Sequence, residues 1–210
     1  MEDGALNAYK FLRPGAVGPF SGVRWLPGEW VEAEALSACE RRHLPLWIWE
    51  ELWEVELGGV VVSRAHKLRA PRARLGRQIE AWTPTSAKAF ARACAWRAAL
   101  HASGSLRDAG FGDAAETFAG GGDLQAVRRL TSELWDELPH AVRRPIGMAS
   151  DSASDALDTI ASDDPYEVVR GAAVVEYTAA MTAQHIGGSD AHDAERAHQA
   201  DWLAAELGLV

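Results

Sequence analysis

The sequence predicts an α+β protein: a small antiparallel β-rich part over residues 1–83, packed on an acidic helical bundle over residues 84–210. Three observations predict it. Gly and Pro recur in RPGAVGPFSGVRWLPGEW (13–30), which marks turns, and short segments of alternating apolar and acidic residues follow, the period of half-buried strands. From Thr83 onward the apolar period lengthens to three and four, the period of helices. Charge divides at nearly the same place, with 11 Lys or Arg against 11 Asp or Glu in residues 1–85 and 10 against 19 in residues 86–210. At 210 residues, 48% apolar and 24% charged, the chain is long enough to bury a core as one large domain or two small ones.

In the first part, WVEAEAL (30–36) sets Val31, Ala33 and Ala35 against acids and predicts a strand. HLPLWIWEELWEVEL (43–57) predicts a helical segment opened by Pro45 that runs directly into a strand. Ile48, Trp49 and Leu52 share its inner side, and Trp53, Val55 and Leu57 form the buried face of the strand. Gly58-Gly59 tolerates the positive φ of a tight hairpin, with VVVS (60–63) as the returning partner. RQIEAW (77–82) predicts the last strand.

In the second part, Thr83 caps a helix with Pro84 in its first turn, and Ala87, Phe90, Ala91, Cys94 and Ala98 make a stripe ending near Gly104. Asp123 caps a second helix carrying Leu124, Val127, Thr131, Leu134 and Leu138, which Pro139 stops. A short helix is expected through Ala153, Ala156, Leu157 and Ile160. DPYE (164–167) opens a helix that Gly187-Gly188 ends, and a last helix spans about Asp190 to Leu207. Helices joined by short loops predict a bundle.

Several chemistries lose support. Cys39 and Cys94 form no CxxC pair, and no GXSXG, GXGXXG or Walker loop is present. MEDGALNAYK has acids and no apolar run, unlike a secretory signal, and no segment approaches the roughly 18 apolar residues of a membrane span. The expectation is a cytoplasmic protein that binds neither membrane nor nucleic acid, since the excess negative charge of the second part repels a phosphate backbone.

Candidate sites are few. Trp47 falls on the side of Glu50 and Glu51, away from the expected core, where an indole stacks a planar or cationic ligand or else seals the junction of the two parts. SRAHKLRAPRARLGRQ (63–78) holds Arg64, Lys67, Arg69, Arg72, Arg74 and Arg77 with no acid, a set suited to phosphate or carboxylate, or else a solvated edge. As one straight strand it would put Arg64 on the face opposite Lys67 and Arg69. EXXH occurs at Glu137–His140 and Glu195–His198, and with Glu176 such motifs can hold two metals in a bundle. Pro139 argues against it, and with 17 Glu and seven His a chance match is unsurprising, so neither metal nor cofactor is expected.

AYKFL (8–12), SAC (37–39) and LWEVEL (52–57) resemble a widespread group of bacterial proteins without assigned function, over the first 82 residues; relatives tend to read His-Ala-Cys where this chain has Ser37. Gln78-Ile79-Glu80 is similar to the Gln-X-Glu of the ADP-ribosyltransferase fold. That resemblance implies a catalytic role for Glu80 in polarising the nicotinamide ribose; otherwise Glu80 is the outward member of a strand.

The sequence therefore leads to a non-catalytic module that binds a protein partner or an anionic small molecule at the junction of its two parts, with Trp47, Arg64, Lys67, Arg69, Arg72 and Arg74 as contacts. A homo-oligomer is compatible with this. The rival is an enzyme acting on an anionic or nucleotide-like substrate through Glu80 and nearby arginines. A deep pocket joining Trp47, Arg69 and Glu80 would favour the enzyme, and a flat apolar patch a partner.

Overall fold

Strand β1 (Ala8–Leu12) runs through the centre of a sheet whose strands are all antiparallel to their neighbours. The computed structural model describes residues 8–209 and shows an α+β fold. Two compact units are present: the chain up to Ser86 together with the stretch from Ala200, and Ala87–Gln199.

In the β unit, β1 pairs with β2 (Trp30–Glu40) and with β3 (Glu51–Gly58), and β5 (Lys67–Gln78) pairs with both of these, so the four strands close into a ring. Closure leaves these strands fewer open edges and encloses a small core of Ala8, Leu12, Trp25, Leu36, Trp53, Val55, Leu68 and Leu75. Because strand side chains alternate, Lys10 shares the inward face of β1 with Ala8 and Leu12, whereas Tyr9 and Phe11 point the other way. The turn after β1 is pinned by Glu51, whose carboxylate accepts the backbone N–H groups of Gly15 (2.8 Å) and Ala16 (3.0 Å) and the Trp53 indole N–H (3.1 Å).

Four strand expectations are corrected. VVVS does not return against β3: β4 (Val62–Arg64) pairs only with β5, through a two-residue turn at Ala65-His66. Gly59 does adopt a positive φ of 83°, but it bends the chain away from β3, whose edge is taken by β5. The same turn makes Arg64 the cross-strand partner of Lys67, so the two share a face rather than opposing each other. The last strand ends at Gln78, and Glu80 lies exposed in a turn closed by a Trp82 N–H to Ile79 carbonyl bond of 3.0 Å. In β2, Ala33 and Ala35 are exposed. The register shifts between Glu32 and Leu36, and this re-phases the strand so that Leu36 and Ala38 face inward.

The segment before β3 is a 3-10 helix, Arg41–Trp47, with Pro45 inside it rather than at its start. It stops at Trp47, and Ile48–Glu50 lead into β3, so helix and strand are not continuous; Ile48 and Leu52 are buried as expected, whereas Trp49 is only half-buried.

The helical unit holds most of α1 (Pro84–Asp108), then α2 (Gly112–Ala119), α3 (Leu124–Leu134), α4 (His140–Ala161) and most of α5 (Pro165–Leu207). Thr83 and Ser86 cap α1 reciprocally: the Ser86 hydroxyl accepts Thr83 N–H at 2.8 Å, and the Thr83 hydroxyl accepts Ser86 N–H at 3.2 Å. The helix passes Gly104, because Ala102 and Leu106 continue its buried stripe, and ends where Phe111 N–H reaches back to the Leu106 carbonyl. Asp123 caps α3 through the Ala126 N–H at 2.9 Å, but the helix stops at Leu134, short of Pro139. The short helix expected near Ala153 is instead the 22-residue α4, whose buried stripe is mostly small: Ala149, Ser152, Ala153, Ala156 and Thr159. Helix α2 has no counterpart among the helices predicted from the sequence. In α5 the glycine pair breaks the helix as expected, with Gly188 at φ 76° and ψ −162°. No helix of the described residues is long and apolar enough to cross a membrane.

Candidate functional site

A small open cleft with a cavity volume of about 100 Å³ lies in the β unit. Its walls come from Tyr9, Lys10 and Phe11 of β1, the 18–21 loop, Ser37, Ala38 and Cys39 of β2, Trp47 and Trp49 after the 3-10 helix, and Lys67 at the start of β5. Among the described residues that line it, five are aromatic, two are lysines and none is an acid. The whole chain has only three lysines, Lys10, Lys67 and Lys88, against 18 arginines, so two of the three meet here.

Lys10 is the unusual member. Its Nζ donates to the Ser37 carbonyl and sits 5.3 Å from the centre of the buried Trp25 ring, and no described residue forms a salt bridge with it. Burial pulls its pKa down to about 8; the nearby Cys39 pulls the other way and Lys67 adds to the lowering. Burial also pushes the Cys39 thiol up to about 12, so the thiol stays protonated and is a poor nucleophile.

The opposite wall is held in place by contacts behind it. The Trp47 indole N–H donates to the His66 carbonyl at 3.2 Å, and Lys67 Nζ lies over the Trp47 ring at 4.2 Å. Trp49 meets Phe20 edge-on at 6.0 Å and the Arg13 guanidinium at 5.2 Å, while its carbonyl accepts the Trp82 indole N–H at 2.8 Å. Phe20 is 79% exposed, so it forms a lip rather than a core residue. Nearby, the rings of His43 and His66 touch edge-to-face at 5.0 Å, and burial followed by the proximity of His66 lowers the His43 pKa.

Of the residues singled out in the sequence, Trp47 and Lys67 line this cleft, whereas Arg64, Arg69, Arg72, Arg74 and Glu80 do not. Trp47 does not carry Glu50 and Glu51 beside it as an exposed acidic rim; Glu51 is spent on the Gly15–Ala16 turn, and the cation on the indole is the chain's own Lys67. Arg72 and Arg74 both lie over Trp30, at 4.8 and 5.0 Å, and Arg74 pairs with Glu56. Arg77 pairs with Glu54 at 2.7 Å. Arg64 and Arg69 are exposed. The run therefore divides into a cleft lysine and a partly neutralised outer face. Lys10 was missed, although a lysine at an inward position of AYKFL was the available signal.

The EXXH motifs do not assemble. Glu195 is fully buried while His198 is exposed, and Glu137 and His140 are both exposed. Glu195 instead accepts Arg97 Nε at 2.9 Å, Arg97 Nη2 at 2.8 Å and His101 Nε2 at 2.8 Å, with Gln199 on its other oxygen at 3.3 Å. Glu176 pairs with Arg196. Comparison of the chain with protein-family models, curated proteins and solved structures returns no match.

Proposed function

We propose that the β unit binds a small, flat, anionic molecule in the Lys10 cleft. The observation that carries this is the composition of the cleft: Lys10 and Lys67, the aromatic residues Phe20, Trp47 and Trp49, and no acid among the described lining residues. A carboxylate or phosphate placed against Lys10 supplies a counter-charge that no described residue gives it, and a charge-assisted hydrogen bond of this kind contributes about 1.5–3 kcal/mol. Aromatic walls at Trp47, Trp49 and Phe20 offer stacking area to a planar ligand body.

The test is titration of the chain with a panel of aromatic carboxylates and phosphates, followed by tryptophan fluorescence and calorimetry. Lys10→Met and Lys67→Met are each expected to weaken binding by about tenfold or more, the size of one lost charge-assisted bond. Arg69→Ala and Arg72→Ala, which lie outside the cleft, are expected to leave affinity unchanged. Equal losses from all four variants would place the binding on the outer basic face instead.

A further inference from the structure

We propose that Lys10 is a carbonyl-capturing amine that forms an imine with an aldehyde or α-keto acid bearing an anionic group. The inference rests on the binding reading above and goes beyond it, from holding an anion to a covalent step. Lys10 is among the residues that line an open aromatic cleft, and its Nζ donates to the Ser37 backbone carbonyl with no carboxylate partner among the described residues. For anion binding alone a guanidinium serves better, since it is planar, bidentate and always charged. This chain uses arginine for 18 of its 21 basic residues yet places an amine at position 10.

Of the two basic side chains, only the amine of lysine can lose a proton near neutral pH and attack carbon. With its pKa held at about 8, roughly a quarter of Lys10 is neutral at pH 7.5, against about 0.1% of an ordinary lysine. The ionisable groups that bear on it from packed elements are Cys39 of β2 and Lys67 of β5. The neutral nitrogen adds to the carbonyl carbon. The resulting carbinolamine loses its oxygen with the two nitrogen protons as one water, leaving a carbon–nitrogen double bond. No oxidant or reductant is needed. Lys67, stacked on Trp47 in the same cleft, holds the anionic group of the substrate. Cys39 does not compete, because its buried thiol is protonated.

The experiment uses the full chain with pyridoxal phosphate as the probe, a flat aromatic aldehyde carrying a phosphate, fixed by borohydride and mapped by peptide mass spectrometry. Lys10 is expected to be labelled at least about ten times faster than Lys88 at pH 7.5, with a rate half-maximal near pH 8. Peptide mapping separates these sites from Lys67 and the terminal α-amino group. Lys10→Arg is expected to abolish the adduct at that site, and the parent chain is expected to bind pyridoxine phosphate, the alcohol that cannot form an imine. Labelling spread evenly over the three lysines, or led by Lys88, overturns the inference. If pyridoxine phosphate binds and Lys10 stays unlabelled, imine formation falls and the binding reading stands; if neither occurs, both fall.

Discussion

Lys10 in the β unit and Glu195 in the helical unit are both withdrawn from water, and their surroundings differ in kind. Burial alone would push the Glu195 carboxyl up, but hydrogen bonds from His101 and Arg97 outweigh it and hold the carboxyl below its ordinary range. Lys10 receives no such repayment: burial lowers its pKa to about 8, and its acceptor is a neutral carbonyl. A buried charge that is matched on every side is part of the framework. A half-buried charge left unmatched in an open cleft costs stability, and a ligand that supplies the missing counter-charge recovers it.

The largest expected effect comes from breaking the matched site. Glu195→Gln removes the negative charge against which Arg97 and His101 are set and is expected to destabilise the protein by about 3–5 kcal/mol in urea denaturation at pH 7. The pH dependence has a definite sign. Because the folded carboxyl titrates below its unfolded value, its contribution is complete above the unfolded pKa and is lost as pH falls through the folded one. The difference between Glu195→Gln and the parent should therefore shrink in acid; a gap that persists unchanged below that range would mean that Glu195 acts through packing and not charge.

Relieving the unmatched site should do the reverse. Lys10→Met is expected to stabilise the protein by about 3 kcal/mol at pH 7, since a shift from 10.5 to about 8 is worth roughly that and Met keeps the apolar stem. The Lys10 penalty is complete below pH 8 and fades between pH 8 and 10.5, where the unfolded chain binds the extra proton. Thermal melts at pH 7 and pH 10 should show the advantage of the variant narrowing. A destabilised Lys10→Met would instead make the Ser37 bond a structural tie and weaken the case for a binding lysine.

Local signals were legible in the sequence and long-range ones were not. Thr83-Pro84, Asp123 and Gly187-Gly188 each act within one helical turn, and the structure places a cap or a break at all three. LWEVEL announced its buried face because its alternation is strong. Gly58-Gly59, by contrast, marks a bend without naming the partner strand, and which strand takes the β3 edge depends on closure of the ring. Helix α4 was read too short because its inward stripe is alanine and serine, which carry little hydrophobic contrast. The candidate site follows the same rule. Trp47 and Lys67 were picked out as chemically notable side chains, but Lys10 becomes notable only once Trp25, Ser37 and Cys39 are brought around it from other segments.

A third kind of charge bounds the comparison, matched but left in solvent. Arg74 donates to Glu56 from Nε at 3.1 Å and lies over Trp30, with its side chain 38% exposed and that of Glu56 53% exposed. Water already solvates both ends of such a pair, so the bond replaces good interactions with others of similar strength, and Arg72 remains on the same indole when Arg74 is gone. Arg74→Gln is therefore expected to change stability by less than about 1 kcal/mol and to leave affinity at the Lys10 cleft unaltered. Chemical denaturation and a titration of the same variant check both halves. A loss of binding with stability intact would extend the functional surface from the cleft to the outer face of β5, and the distinction between its one cleft lysine and its arginines would then be wrong.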